Sequence, residues 1–395
     1  MSRHVLVLNA GSSSLKYRLV DVDSGGAPAS GLVERIGEET SSLRHTGPRG
    51  ETRVTERMAD HEKALRAVLE LFASHGPDLT SADVVAVGHR VVHGGERFAD
   101  PVLIDDAVVA TIEELVPLAP LHNPANLEGI RVARRVFPDL PQVAVFDTAF
   151  HQTLPPVAYT YAVPRHWERK YSVRRFGFHG TSHAYVSRVA AEMLGREPAD
   201  VNVITLHLGN GASATAVAGG RSVDTSMGLT PLQGLVMGTR SGDIDPAVPA
   251  HLADVAGYSL DEVTEGLNRR SGLLGLTGYN DMRTVQQLAD DGNEDARLAL
   301  DVYCYRIRSY VGAYFAVLGR VDAIVFTAGI GEHSPPVRAL SLQGLSSFGV
   351  EVDAERNDAD TGGARSISPP DGRVAVLVVP TDEELEIARQ AVALL

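Results

Sequence analysis

The feature that most limits the fold is a pattern that occurs twice. Residues 5–16 and 204–215 each run an apolar strand into a Gly/Ser/Asn turn and out along a return strand. Two such units, about 200 residues apart in a chain of 395, point to a duplicated α/β core with a nucleotide between the halves, at roughly 100–200 residues per domain. Glycine lets the backbone of such a turn approach an anion closely and present its N–H groups. In the first turn Ser12, Ser13 and Ser14 add hydroxyls and Lys16 adds a point charge; the second, from His207 to Ser213, is mostly backbone. Either turn alone also reads as an ordinary tight connection, and neither is a Gly-x4-Gly-Lys-Ser/Thr loop. A third glycine loop, Gly329-Ile-Gly-Glu332, follows the apolar stretch 323–327 and suits a nucleoside at a strand end.

The charge balance narrows the ligand. A net charge of −14 opposes nucleic acid and anionic membranes as partners. A small anion then needs local donors and arginines. Lysine occurs only at positions 16, 63 and 170. The single cysteine, Cys304, allows no intrachain disulfide, and its apolar helical surroundings read as core. Apolar runs stay far short of a membrane span. The strand beginning at Val5 leaves no room for a signal peptide, so a cytoplasmic protein is expected.

The remaining pattern places charged residues at strand ends, where open α/β sheets bind ligands. Arg90 follows the apolar strand 84–87, Asp147 follows 143–146, and Arg240 lies in a glycine-rich loop. Arginine suits two-pronged recognition of carboxylate or phosphate; each of these also reads as an ion-pair partner, and Asp147 as a turn former. Helices are expected over 61–75 and over 294–318, the latter closed by Gly319. Asn123-Pro124 reads as a helix cap and first turn. Residues 23–57 read as exposed hairpins and 353–372 as a surface excursion. His179 and His183 are four apart, with Thr181 or Ser182 between them as a helix cap; no sequence neighbour completes a transition-metal site. Thr381 with Glu384 fits a capping box, opening a final helix that returns to the first domain.

These segments together resemble the acetate kinase family over nearly the whole chain. The resemblance is carried in order by Leu6-Val-Leu-Asn-Ala-Gly-Ser-Ser-Ser-Leu-Lys16, Gly88-His-Arg-Val-Val-His-Gly-Gly-Glu96, Pro120-Leu-His-Asn-Pro124 and Val145-Phe-Asp-Thr-Ala-Phe-His151. Arg175-Phe-Gly-Phe-His-Gly-Thr-Ser-His183, Ile204-Thr-Leu-His-Leu-Gly-Asn-Gly-Ala-Ser213 and Asp224-Thr-Ser-Met-Gly-Leu-Thr-Pro-Leu-Gln-Gly234 follow, then Tyr279-Asn-Asp-Met-Arg283 and Gly329-Ile-Gly-Glu332. The resemblance implies the duplicated actin-like ATPase (ribonuclease H-like) fold, α/β, with a nucleotide cleft between two domains. Their expected bounds are 1–148 plus 384–395, and 149–383.

By the same resemblance, Asn9 and Glu383 hold Mg²⁺, with Mn²⁺ as an alternative. Lys16, His207, Leu208, Gly209, Asn210, Gly211, Asp281, Met282, Arg283, Gly329, Ile330, Gly331, Glu332 and His333 bind ATP or ADP. Arg90 holds acetate, with Val92, Leu121, Phe178 and Pro231 around its methyl group. Asp147, His179 and Arg240 serve the transferring phosphoryl, giving acetyl phosphate. A cytoplasmic homodimer is implied. Two positions depart from the family pattern: His333 stands in place of the usual Asn, and Asp382 in place of another Asn. With a pKa of roughly 4, a carboxylic acceptor arrives ionised and needs no general base, so repulsion between anions is the obstacle and Asp147 is expected to orient rather than to abstract a proton. Kinases for propionate or other short acids, and an actin-like or chaperone-like ATP-binding protein, are the competing readings.

Overall fold

A computed structural model describes residues 3–79, 83–359 and 361–395. By its internal contacts the chain divides into two units, Met1–Phe150 with Asp382–Leu395, and His151–Thr381. Glu383 thus belongs to the first unit.

In the first unit the strands are β1 (His4–Ala10), β2 (Ser14–Asp21), β3 (Ala29–Glu34), β4 (Ser41–Gly47), β5 (Gly50–Glu56), β6 (Val84–Val91), β7 (Val102–Leu103) and β8 (Gln142–Phe146). They form one sheet in the order β5-β4-β3-β2-β1-β6-β8-β7. In the second unit β9 (Asn202–Leu208), β10 (Ala212–Ala218), β11 (Arg221–Thr225), β12 (Ala323–Thr327), β13 (Arg365–Ser366) and β14 (Ala375–Val378) are ordered β11-β10-β9-β12-β14-β13. The first strand of each unit pairs antiparallel with its hairpin partner and parallel with the next strand along the sheet. That next strand pairs parallel with the one beyond it. The suspected repeat is therefore a repeat of topology, and both Gly/Ser turns are hairpins at the end of a central strand.

β1 is central because its residues can be nothing else: Val5, Leu6, Val7 and Leu8 are at most 2% exposed, as expected of a strand covered on both faces. The helix Asn123–Val136 packs on β1 and β6, and the C-terminal helix Glu383–Val392 also packs on β1 and β6. In the second unit Gly180–Met193 lies against β9 and β12, and the 25-residue helix Glu294–Leu318 against β10. Cys304 is buried on that helix, while Leu298 and Tyr305 stand exposed on another side of it.

Several local expectations need correction. Residues 29–56 are three sheet strands, and Val33, Leu43 and His45 on them are buried, His45 bonding the Tyr17 hydroxyl at 2.7 Å. Asn123 does not cap its helix: His122 occupies that place, and the Asn123 side chain is drawn into a loop contact instead. Neither Thr181 nor Ser182 is a cap, since the helix starts at Gly180 behind His179. The final helix has no Thr381–Glu384 box; Asp382 caps it by accepting from the Leu385 N–H at 2.9 Å, because Glu384 is engaged elsewhere. Arg90 lies inside β6 rather than after it.

Gly88 shows why the C-terminal helix can lie so close to β6. A β-carbon at Gly88 would come 2.8 Å from Ile387 Cγ2, closer than carbon atoms pack. Gly88→Ala should therefore push this helix off the strand and lower the unfolding free energy by about 1–3 kcal/mol, read as a lower urea midpoint. An unchanged midpoint would show that the helix is not seated against Gly88.

Candidate active site

In the first unit, parallel pairing of β6 and β8 sets Arg90 opposite Val145 and Val91 opposite Phe146. Asp147, one residue past β8, is thereby delivered to Arg90. Arg90 Nε donates to Asp147 Oδ1 at 2.9 Å and Nη2 donates to Oδ2 at 2.7 Å. Guanidinium has only donors, so Asp147 bound by both oxygens is a carboxylate. Burial works against the charge on Arg90, but Asp147, Glu383 and Glu384 outweigh it and raise its pKa. Burial pushes the Asp147 carboxyl up, with Arg90 pulling it down. The fork occupies one edge of the guanidinium and leaves Nη1 for a ligand.

The chain beyond Arg90 is sewn in place by two asparagines that sequence reasoning missed or misassigned. Asn126 Oδ1 accepts from the Val92 N–H at 3.0 Å, while its Nδ2 donates to the Ala10 carbonyl at 2.8 Å. Asn123 Oδ1 accepts from His93 N–H and its Nδ2 donates to the His93 carbonyl, at 3.1 and 3.0 Å. Val92 is 9% exposed and Leu121 54%, so of the two apolar residues expected here only Leu121 stands in the open.

At the start of the C-terminal helix three acids sit in a row. Asp382 accepts from Arg18 Nη1 at 2.5 Å, and Glu384 pairs with Lys16. Lys16, expected near phosphates, thus has its ammonium on Glu384. Glu383 is different: its Oε1 is buried with no hydrogen-bond partner. No group of three His, Cys, Asp or Glu residues gathers into a metal cage among the described residues. One orphaned carboxylate oxygen instead fits a hard cation that takes its other ligands from phosphates and water. Asn9, at the end of β1, pairs across the hairpin with Lys16.

The second unit carries two of the three glycine loops, at 207–213 and 329–332. Gly209, Asn210, Asp281, Met282, Arg283, Gly329, Ile330 and His333 line one cavity of about 540 Å³, together with Asn280, Gln286 and Ser334. Asn280 lies in the Tyr279–Arg283 motif but was not among the expected contacts, and Gln286 and Ser334 had no motif to announce them. The volume is that of an ordinary small-ligand site. Asp281 accepts from the Arg283 backbone and guanidinium, and these bonds hold its pKa down at about 2. His333 Nδ1 lies 3.0 Å from the Gly329 carbonyl. Six expected nucleotide contacts are not in this lining: Lys16, His207, Leu208, Gly211, Gly331 and Glu332. His207 and Leu208 are buried at the end of β9, and Gly331 is buried beneath its loop. Glu332 accepts from the Thr381 N–H at 3.2 Å. The loop is held from below by Arg338, fully buried, which donates to the Gly331 and Glu332 carbonyls at 3.0 and 2.9 Å and to Asn357.

A second cluster in this unit joins the hairpin turn to His179 and Arg240. A β-carbon built on Gly211 would be 3.5 Å from His179 Cε1 and Nε2 and 3.6 Å from Arg240 Nη1. Arg240 meets the Pro231 carbonyl at 3.4 Å and has no carboxylate partner among the described residues; burial alone lowers its pKa. An uncompensated, largely buried guanidinium beside a turn of backbone N–H groups is a site for an anion. His179 has a φ of 57°, a costly conformation for a residue other than glycine. Its Nδ1 meets Ser213 Oγ at 2.8 Å, and its ring stacks on His207 with 4.2 Å between centroids. Phe178 is 1% exposed, and its carbonyl lies 3.0 Å from His151 Nε2.

Comparison with known proteins finds relatives over nearly the whole chain. The model of the acetokinase family matches residues 4–389. An acetate kinase of Streptomyces coelicolor is 60% identical over all of this chain and 97% of its own length. Among solved structures, Porphyromonas gingivalis acetate kinase superposes with a TM-score of 0.95 at 44% identity, covering 99% of both chains. A propionate kinase from Francisella tularensis subsp. tularensis gives 0.92 at 42% identity, again over 99% of both.

Two outcomes follow from the buried groups. Burial drives His89 and His151 to a pKa of about 4, and His183 well below its ordinary value. An unfolded histidine titrates near 6.5. Stability from these groups should thus be complete above about pH 6.5 and be lost as pH falls toward 4, by up to roughly 1.4 kcal/mol per pH unit for each. A series of urea midpoints against pH measures it; a flat series through this window would contradict it. Gly211→Ala should fold normally, since the added methyl makes only ordinary contacts, yet it would fill the space shared by His179 and Arg240. Turnover should fall by about 100-fold or more with an unchanged melting temperature; wild-type turnover would mean that no reacting group uses that space.

Proposed function

The chain belongs to the acetokinase family, and from that premise we propose that it transfers the γ-phosphoryl group of ATP to acetate, reversibly, giving acetyl phosphate and ADP. The observation that carries this reading is the unpaired Arg240 guanidinium meeting Gly211 and His179. Those groups would form a place for a phosphoryl group, with the fixed charge of Arg240 on one side and the His179 imidazole on the other. Arg240 would neutralise the equatorial oxygens as charge spreads over them, and His179 would donate to one of them. The backbone N–H groups of the 209–211 turn would hold the chain of phosphates, with the nucleoside in the 540 Å³ cavity.

The acceptor is read from the other unit. Acetate is already ionised at neutral pH, like the side-chain carboxylates with a pKa of roughly 4. Nη1 of Arg90 would take its carboxylate, and Asp147 would keep the guanidinium oriented, so Asp147 is a positioning residue. Val92 and Leu121 are proposed to accept the methyl group. A divalent cation, Mg²⁺ in this reading, would be held by Glu383 with Asn9 and would offset charge on the β- and γ-phosphates.

A propionate kinase among the structural relatives supports a second acceptor. One methylene changes binding in an apolar pocket by only about 1–3 kcal/mol, so propionate should be a poorer substrate of the same site. The test supplies ATP and Mg²⁺ with acetate, propionate or butyrate and traps acyl phosphate as the hydroxamate. Acetyl hydroxamate should form fastest, and Arg90→Ala should raise the KM for acetate most. ATP hydrolysis without acyl phosphate from any acid would overturn the proposal in favour of an ATP-driven binding protein.

A further inference from the structure

Behind His179 runs a file of buried polar side chains, all within the second unit. His179 Nδ1 is 2.8 Å from Ser213 Oγ; that oxygen is 2.7 Å from His183 Nε2; and His183 Nδ1 is 2.7 Å from Thr205 Oγ1. Ser213, His183 and Thr205 are each 0% exposed. Burial, with His151 and His207 nearby, keeps His183 neutral. A neutral imidazole has one N–H and each hydroxyl one O–H, so protons can be ordered along this file in only two ways.

In one order His179 Nδ1–H donates to Ser213, Ser213 to His183 Nε2, and His183 Nδ1–H to Thr205. The Thr205 hydroxyl proton is then left with the Thr215 carbonyl at 3.4 Å, outside the range of about 2.5–3.0 Å for a good O–H···O bond and closed off from water. In the other order Thr205 donates to His183 Nδ1, His183 Nε2–H donates to Ser213, and Ser213 donates to His179 Nδ1. Every buried proton now lies on a contact of 2.7 or 2.8 Å. The second order wins because a buried donor without a good acceptor costs about 1–3 kcal/mol. It leaves the His179 proton on Nε2, the atom that faces Gly211.

We propose that Thr205, His183 and Ser213 are positioning residues that hold His179 as its neutral Nε2–H tautomer, so that it donates to the transferring phosphoryl without itself carrying charge. This rests on the assignment of His179 as the donor. The titratable and charged groups around His179 in this unit agree with it. His207 stacks on its ring, Arg240 shares the Gly211 corner, His183 lies along the same helix, and His151 contacts His183 edge-on at 5.7 Å. Arg240 is the fixed cation among them and disfavours a second positive charge. Protonating His179 at Nδ1 would also reverse every link and strand the Thr205 proton. Charge thus belongs to Arg240, and direction to His179.

The test uses full-length protein labelled with ¹⁵N-histidine, read by long-range ¹H–¹⁵N correlation. His179 should be neutral and protonated at Nε2 throughout about pH 6–8. Thr205→Val, nearly isosteric and three bonds along the file from His179, should release it: an Nδ1–H population appears and the ring titrates near the ordinary value of about 6.5. Thr205→Ser should restore the wild-type spectrum. The kcat of Thr205→Val should fall about tenfold, the weight of one hydrogen bond, with the KM for acetate unchanged. A wild-type His179 found as imidazolium or as Nδ1–H overturns the proposal, as does a spectrum indifferent to Thr205→Val. If that variant does not fold, Ser213→Ala against Ser213→Thr gives the same readout. Wild-type turnover in His179→Ala would instead remove the donor assignment, which the tautomer measurement does not depend on.

Discussion

A charge taken out of water must find a partner, and the way this chain settles that demand explains most of its site. In the first unit Arg90 is matched by Asp147, Lys16 by Glu384 and Arg18 by Asp382. Glu383 adds to the charge facing Arg90, yet its buried Oε1 has no hydrogen-bond partner. In the second unit buried Arg338 is satisfied by carbonyls and Asn357, whereas the Arg240 guanidinium has a long contact to the Pro231 carbonyl and no carboxylate among the described residues. Leaving a buried charge unpaired costs several kcal/mol, and a fold keeps such defects where a ligand removes them. The Glu383 oxygen asks for a cation, and the Arg240 guanidinium for an anion. Each is a place for an ion of opposite sign, and for an anion such a place matters in a protein whose net charge is −14.

Strain is placed by the same logic. Among the described residues four other than glycine have positive φ, and two of them, His179 and Ala328, stand beside the glycine loops of the second unit. Each costs on the order of 1–3 kcal/mol. For His179 the compensation is visible: a helix starts behind it, Ser213 takes its Nδ1, and His207 covers its ring. This backbone brings Nε2 against the Gly211 turn. Ala328 ends β12 in the turn that opens the Gly329 loop, and Arg338 braces the carbonyls at the far end of that loop.

What could be read from the sequence was what is contiguous along it. Each Gly/Ser hairpin announces itself because strand, turn and return strand occupy a dozen successive residues, and the helix Glu294–Leu318 carries both its cap and its stop. What could not be read depends on bonds between distant residues. Asn123 looks like a helix cap by its neighbours, but the His93 backbone, 30 residues away, claims its side chain. Asn126 has no local signature at all, yet it ties Val92 to Ala10. Buried Arg338 looks like any surface arginine on a helix. The acids 382–384 show both cases. Acidity at a helix start was legible, whereas the division of labour was not: Glu384 turns to Lys16, and Asp382 takes the cap.

The two related hairpins have diverged in what they present. The first, with Asn9 and Lys16 across from each other, contributes side chains beside a row of acids. The second contributes backbone, with Gly211 bare enough for His179 and Arg240 to reach the same point. Neither brings a free base. Asp147, the one buried carboxylate at the end of β8, has both oxygens held by Arg90, and a carboxylate so held is a poor proton acceptor. An acceptor hydroxyl would need its proton removed in the transition state; an acceptor carboxylate has none to lose. An acceptor that is already an anion therefore needs nothing that Asp147 fails to offer, and a guanidinium such as that of Arg90 is the kind of group that can hold one.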